Sequence, residues 1–234
     1  MTDVFAITEA ALRASMAQLD TVSRNVANAG TQGYKRELRI EPAFDQQLAR
    51  AGQSAGTDQV AALHDWSRGP LRHTGAPLQF AIEGEGWFQL QSPQGVLLTR
   101  DGSFQLDRQG RLVSAQGWPV VMDGEARFSD PAPSLRPNDE LWSEGTRIAQ
   151  LLLVKADPAT LQVAGPNLFR AATTTTLDPG SAGVRQGFLE SSNVSSLTEM
   201  VDLMQSMRQA EAAQRAAHAY DEALEMAIST LGEF

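Results

Sequence analysis

The chain has 234 residues, 42% of them apolar, enough for a real core, while 19 glycines and 11 prolines call for many turns. Its net charge of −9 disfavours nucleic acid and anionic membrane surfaces as partners, and the lack of cysteine excludes disulfides, thiolate zinc sites and cysteine nucleophiles. No apolar stretch approaches the ~20 residues of a bilayer span. Asp3 and Glu9 precede the first arginine, Arg13, so the N-terminus lacks the pattern of a signal peptide, and any export is expected without a cleaved one.

Residues 4–29 read as an amphipathic helix. Phe5, Leu12, Leu19 and Val26 recur at sevens, Met16 and Val22 widen the stripe, and Arg13, Gln18, Asp20 and Arg24 lie off it. Asp3 stands at the expected N-cap, and Gly30 where a left-handed residue would end the helix. An ordinary surface helix on a globular core has the same pattern. Residues 31–75 are weakly periodic, with Gly52 and Gly56 in a polar stretch, and read as an extended connector.

From about Pro77 the pattern changes to short strands. Candidates are Phe80–Ile82, Trp87–Leu90, Val96–Thr99, Phe104–Leu106, Leu112–Val113 and Val120–Met122. Ser92-Pro93-Gln94-Gly95, Asp101-Gly102 and Asp107-Arg108-Gln109-Gly110 are turn sequences at hairpin spacing and predict an antiparallel meander. Asp130 to Pro137 reads as a loop, Ile148–Lys155 as the most continuous and central strand, and Thr173 to Thr176 as an edge strand or loop.

The last segment, Val194 to Leu231, contains neither Gly nor Pro, and Ser196 with Glu199 makes a capping-box pattern. A helix of that length would extend roughly 55 Å. Leu203, Ala210, Ala217, Leu224 and Leu231 fall at strict sevens, with Met207, Tyr220 and Ile228 nearby, which predicts coiled-coil packing. From Glu190 to the C-terminus eight acidic residues face Arg208 and Arg215, a local net of −6. The expected fold is therefore α+β: terminal helices forming a coiled-coil-like helical module, with a β-rich antiparallel domain inserted. The expected divisions are 1–30, 31–75, 76–190 and 191–234.

Candidate chemistry is sparse. His64, His73 and His218 lie in three contexts without metal-ligand spacing. Gly84-Glu85-Gly86 lacks the third glycine and following helix of a dinucleotide loop and reads as a tight turn. Asp101 and Asp107 occupy turn positions where local hydrogen bonding explains them. No catalytic, cofactor or metal residues are assigned. Trp66, Trp87-Phe88, Trp118 and Trp142 are the material for an alternative reading, a secreted or periplasmic carbohydrate-binding module with helical oligomerisation ends.

The segment Asn25-Val26-Ala27-Asn28-Ala29-Gly30-Thr31-Gln32-Gly33-Tyr34-Lys35 resembles the N-terminal signature of the flagellar axial proteins, the rod and hook family. Gly30 departs from it, replacing a residue that is often asparagine. Gly69 to Gly75, Gly84 to Phe88 and Thr99 to Phe104 resemble the start of that family's β domain, and Gln186 to Val194 the approach to its C-terminal helix. The length leaves no room for the outer domain of hook subunits, so a rod subunit is expected, most similar to distal members and next to proximal ones. Asn138 to Gly145 is a further departure, where the family often has more strand and turn.

The resemblance implies a non-enzymatic subunit, self-assembling into a helical tube that transmits torque to the hook. It implies location in the periplasmic part of the basal body, with other rod subunits, copies of itself, hook or ring proteins and the flagellar export apparatus as partners. Cofactors, nucleic acid and membrane insertion are not expected. Phe5, Leu12, Leu19, Val26, Leu203, Ala210, Ala217, Leu224 and Leu231 would pack subunits together, and Asn25, Asn28, Gly33 and Tyr34 would set the turn out of the first helix.

Overall fold

The computed structural model describes residues 2–39, 63–124, 126–130 and 132–232, with side chains from residue 11 in the first helix and to residue 226 in the last, apart from 221 and 224. Phe5, Leu224 and Leu231 as packing side chains, and Gly52 and Gly56, thus lie outside what is described. The chain divides into two compact units: residues 1–27, 37–65 and 195–234, and residues 28–36 and 66–194.

The first unit contains α1 (Thr2–Asn28), the short pair β1 (Glu37–Leu38) and β2 (Leu63–His64), and the C-terminal helix α2 (Ser196–Gly232). Asp3 lies inside α1 and not ahead of it. Gly30 does not adopt a positive φ; Gly33 does, at 67°. Ser195 caps α2, its hydroxyl accepting from the Thr198 amide at 3.4 Å. Glu199 does not close a capping box with Ser196: it is 1% exposed, and its Oε2 accepts from the Asn25 side chain.

The second unit is antiparallel β-structure. After β3 (Leu71–His73), β4 (Phe80–Ile82) leads into the hairpin of β5 (Trp87–Ser92) and β6 (Gly95–Thr99). Ser92 sets its turn, with Oγ donating to the Gly95 carbonyl and accepting from the Gln94 amide. β7 (Gln105–Leu106) and β8 (Leu112–Val113) form the next hairpin. The expected strand Val120–Met122 is reduced to isolated bridges, Val120 with Leu90 and Met122 with Leu151.

β9 (Ser134–Arg136), β10 (Glu140–Ser143) and β11 (Thr146–Gln150) make a three-stranded sheet. Its β10–β11 turn places Glu144 and Gly145 at φ 49° and 80°, as a two-residue hairpin turn requires. The run Ile148–Lys155 is therefore not one strand. It divides between β11 and β12 (Leu153–Ala156), and β12 pairs with β5. Its unbroken apolarity reflects two halves buried in two different sheets.

β13 (Leu161–Gly165), β14 (Leu168–Ala171) and β15 (Thr174–Thr176) complete a six-stranded sheet of order β13-β14-β6-β5-β12-β15, which puts the threonine run at an edge. β16 (Val184–Gln186) pairs with β4, and β17 (Phe188–Glu190) with β3. The last strands thus close on the first, and the order is not a simple meander. The main hydrophobic cluster gathers Phe80, Ile82, Phe88, Leu90, Leu112 and Leu141 with others, and a smaller one holds Trp87, Leu98, Val154 and Phe169. Each buried phenylalanine contributes about 2–3 kcal/mol.

The coiled-coil-like helical module is corrected by these observations. Among the described residues each terminus supplies one helix, and neither hydrophobic cluster contains a helical residue. Coiled-coil seams need large apolar side chains at the covered positions. Here the covered line of α2 runs Glu199, Leu203, Ser206, Ala210, Ala213, Ala217 and Tyr220, while Leu197, Met200, Val201, Met204 and Met207 are at least half exposed.

Candidate functional site

Among the described residues no group of three or more His, Asp or Glu could hold a metal, and no helix is long and apolar enough to cross a membrane. Asp101 accepts from the Ser103 amide and hydroxyl and from the Asn167 side chain. Burial raises its carboxyl above the ordinary range, against those hydrogen bonds. Asp107 accepts from the Gln109 and Arg111 amides and pairs with the Arg111 guanidinium at 2.7 Å. Both carboxylates are engaged in their own turns.

The tryptophans do not form an exposed platform. Trp66 and Trp87 pack edge-to-face with Phe169, at centroid distances of 5.1 and 5.2 Å. Trp142 sits under Arg136 and donates to Glu140, and Trp118 packs against the main core. Stacking on a sugar needs a free aromatic face, so the carbohydrate-binding alternative gains no support.

The segment following α1 accounts for its own composition. In the first unit, Asn25 is 1% exposed; its Oδ1 accepts from the Glu37 amide at 2.9 Å and its Nδ2 donates to the Glu37 carbonyl at 3.0 Å. The amide thus stands in for a strand beside β1, which an aspartate, lacking the donor, cannot do. Arg24 adds a two-pronged ion pair with Glu37 and bonds Asp20 as well. These groups line a shallow cavity of about 220 Å³ with Ala17, Thr21, Leu38 and Arg39.

In the β unit, the Asn28 carbonyl accepts from the Thr31 amide, and the Asn28 side chain meets the Thr31 hydroxyl at 3.2 Å. Gly33 then turns with positive φ and donates its amide to the Glu190 carbonyl at 2.9 Å. A Cβ there would lie 2.5 Å from the Asp101 nitrogen, so the close approach requires glycine. Tyr34 is 6% exposed, and its carbonyl accepts from Asn193.

Lys35 leads to a buried ion cluster. Its ammonium lies 2.7 Å from Glu190 Oε1 and 2.7 Å from the Ser67 carbonyl; Lys35 and Glu190 are both 1% exposed. Arg100 reaches Glu190 Oε2 at 3.3 Å and the Gly84 carbonyl at 3.2 Å, with its guanidinium 5.3 Å from the Trp87 ring centre. Burial lowers the Arg100 pKa from its ordinary value, partly opposed by Glu190. The Gly69 amide also donates to Glu190 Oε1. One carboxylate therefore joins residues 35, 69 and 100 to β17.

Glu190, Arg100, Asn193 and Glu199 were not among the expected site residues. A signal existed: Glu190 ends the apolar strand Phe188-Leu189, and Arg100 follows Leu97-Leu98-Thr99, so each charge adjoins residues destined for a core.

On the helices the expected stripe is only partly covered. Leu12, Leu19 and Val26 are half-buried, and the most covered residues of α1 lie to one side, at Ser15, Thr21, Val22 and Asn25. The Ser15, Thr21 and Ser206 hydroxyls donate to carbonyls one turn back, which lets small polar groups occupy covered positions. Ala210 is buried, and Leu203 and Ala217 are half-buried.

Two family models match. The D1 domain of the flagellar hook protein FlgE/F/G family matches residues 81–135, and the C-terminal domain of flagellar basal-body rod FlgEFG proteins matches residues 185–230. The chain is 33% identical to the flagellar basal-body rod protein FlgF of Mesorhizobium japonicum, over 95% of this chain and 96% of the relative. It is also 33% identical to the FlgF of Caulobacter vibrioides, over 92% of each, and 30% identical to the FlgG of Buchnera aphidicola, over 94% and 96%. With relatives at 30–33% identity aligned over nearly their whole length, the chain belongs to the flagellar basal-body rod protein family and is a structural subunit of the rod.

Proposed function

We propose that this rod subunit assembles through its two terminal helices, while the β unit serves as a preformed body. The supporting observation is the contrast in burial. The β unit encloses Phe80, Phe88, Leu90 and Leu141 almost completely, whereas α2 leaves Leu197, Met200, Val201, Met204 and Met207 open. Apolar surface left open on one element marks a contact made elsewhere. Leu12, Leu19, Val26, Leu203, Ala210 and Ala217 complete their burial against neighbouring subunits, and Phe5, Leu224 and Leu231 are proposed to pack at the same contacts. Those neighbours include copies of this chain, other rod subunits, and hook or ring proteins at the ends. The subunit reaches the periplasm through the flagellar export apparatus, carries out no catalysis, and transmits torque through close packing.

Replacing Leu203 and Leu224 together by Asp tests this reading. The doubly substituted protein is expected to leave cells without completed rods and without swimming. Its tryptophan emission should remain native, because all four tryptophans lie in the β unit. Normal swimming by a strain carrying only this variant would contradict the proposal.

A further inference from the structure

The six-stranded sheet ends in β13 on one side and β15 on the other. No described strand pairs with the outer side of either, and Gln162, Val163, Ala164 and Thr174 to Thr176 are exposed. Open strand edges pair readily with other chains, so proteins commonly guard them with charge or proline. The three-stranded sheet follows that rule: its outer strands β9 and β11 carry Arg136 and Arg147, and Pro133 and Pro137 flank β9. The six-stranded sheet does not. Leu161 to Gly165 and Ala171 to Leu177 contain neither a charged residue nor a proline, and β13 keeps one guard, a register shift between Val163 and Gly165.

One bond fixes which groups of β15 face outward. The Leu177 amide donates to the Leu153 carbonyl at 2.9 Å, so these residues form a hydrogen-bonded pair across β15 and β12. Such pairs alternate along an antiparallel ladder. Thr175, opposite Lys155, therefore also turns its backbone inward, whereas the N–H and C=O groups of Thr174 and Thr176 point to the open side.

We propose that the open edge of β15 receives β13 of a second copy of this chain, so that the six-stranded sheet continues from subunit to subunit; the inference rests on the assembly of copies proposed above. Strand direction and side-chain facing select this occupant. Every neighbouring pair in the sheet is antiparallel, so across six strands β13 and β15 run in opposite directions. A second sheet in the same orientation therefore brings its β13 antiparallel to β15. The faces agree as well. Val163 lies opposite Phe169 and Thr176 opposite Val154, and both buried partners belong to the smaller hydrophobic cluster on one face of the sheet. A continued sheet thus sets β-branched side chains beside one another, the kind of cross-strand pair that stabilises sheets. Pairing β15 with β15 would close a dimer and leave both β13 edges open. Pairing β15 with β13 joins different edges, and that contact repeats without closing. Because β15 is short, each junction supplies only a few hydrogen bonds, so it forms inside an assembled array and not in dilute solution.

The absence of native cysteine makes a direct test available. A chain carrying both Val163→Cys and Thr176→Cys would be incorporated into basal bodies and oxidised with copper phenanthroline. Within one chain the two positions stand five strand spacings apart, about 24 Å, too far for a disulfide. Any bond between them therefore joins two copies. The expected product is a ladder of dimers, trimers and larger species, in at least tenfold higher yield than from Val163→Cys with Thr175→Cys, whose side chains lie on opposite faces. Adding Thr174→Pro, which removes an outward N–H that an edge strand can spare, should lower the yield at least tenfold with the tryptophan emission unchanged, whereas Thr174→Val should not. No ladder, or full yield from the proline variant, would overturn the inference. Dimers from Thr176→Cys alone would overturn it in favour of a closed pair. Absence of the wild-type chain from basal bodies would instead defeat the assembly reading beneath it.

Discussion

Glu190→Gln is expected to destabilise the β unit by about 3–5 kcal/mol, because it removes the one anion that two buried cations share. Lys35 and Arg100 stay in place with no carboxylate between them, and neither is exposed enough to regain water. The glutamine side chain can still accept a hydrogen bond, so the loss is chiefly electrostatic. It would be read as a lowered urea midpoint by tryptophan fluorescence, with the slope of the transition unchanged. Replacing Lys35, Arg100 and Glu190 all by Met should recover much of the loss, since apolar groups of similar size carry no desolvation cost. A Glu190→Gln midpoint within error of the wild type would show that the cluster contributes nothing.

Gly33→Ala has the second large effect. A left-handed backbone costs a non-glycine residue about 1–2 kcal/mol before any contact is considered. The added Cβ would also lie 2.5 Å from the Asp101 nitrogen and 2.7 Å from the Arg100 carbonyl carbon, and both are backbone atoms. Relief requires the chain to move away, which breaks the Gly33 amide bond to the Glu190 carbonyl and disturbs Arg100 in the cluster. A total of roughly 3 kcal/mol or more is expected. Gly30→Ala is the internal control: a Cβ there meets nothing within 4 Å, and the residue has no positive φ. That substitution should be neutral or stabilising by up to about 1 kcal/mol, through the unfolded chain. Equal urea midpoints for the two variants would contradict this account of the turn.

The two glycines show how far the sequence could be read. Both follow a helix and both look like terminators, but only contact with Arg100 and Asp101, some seventy residues on, distinguishes Gly33. Local turn chemistry was legible wherever its partners were local. Ser92 to Gly95 and Asp107 to Gly110 form hairpin turns because each side chain bonds to its own loop. Glu190 was not legible as a hub, since its partners come from residues 35, 69 and 100.

Apolar periodicity misled in two places for related reasons. In Ile148–Lys155 it reported burial correctly but could not reveal that the two halves are buried in different sheets. In α2 the covered line includes Leu203, Ala210 and Ala217, yet the larger side chains, Met200, Met204 and Met207, face outward, and the covered line is mostly small or polar. A heptad count weighs alanine with leucine. Packing does not, which is why the coiled-coil expectation failed while the two terminal helices themselves were found. The family resemblance rested on features of another kind, blocks such as Asn25 to Lys35 whose side chains satisfy backbone groups at fixed places.

The central claim is that the helices are the assembling part of this rod subunit and the β unit is a preformed body. Amide hydrogen exchange on the free chain and on the same chain in isolated rods tests it most directly. Strong protection of β4, β5, β6 and β12 is expected in both states, with protection of α1 and α2 rising at least a hundredfold on assembly. Helices equally protected before and after assembly, with the gain confined to the β strands, would contradict it.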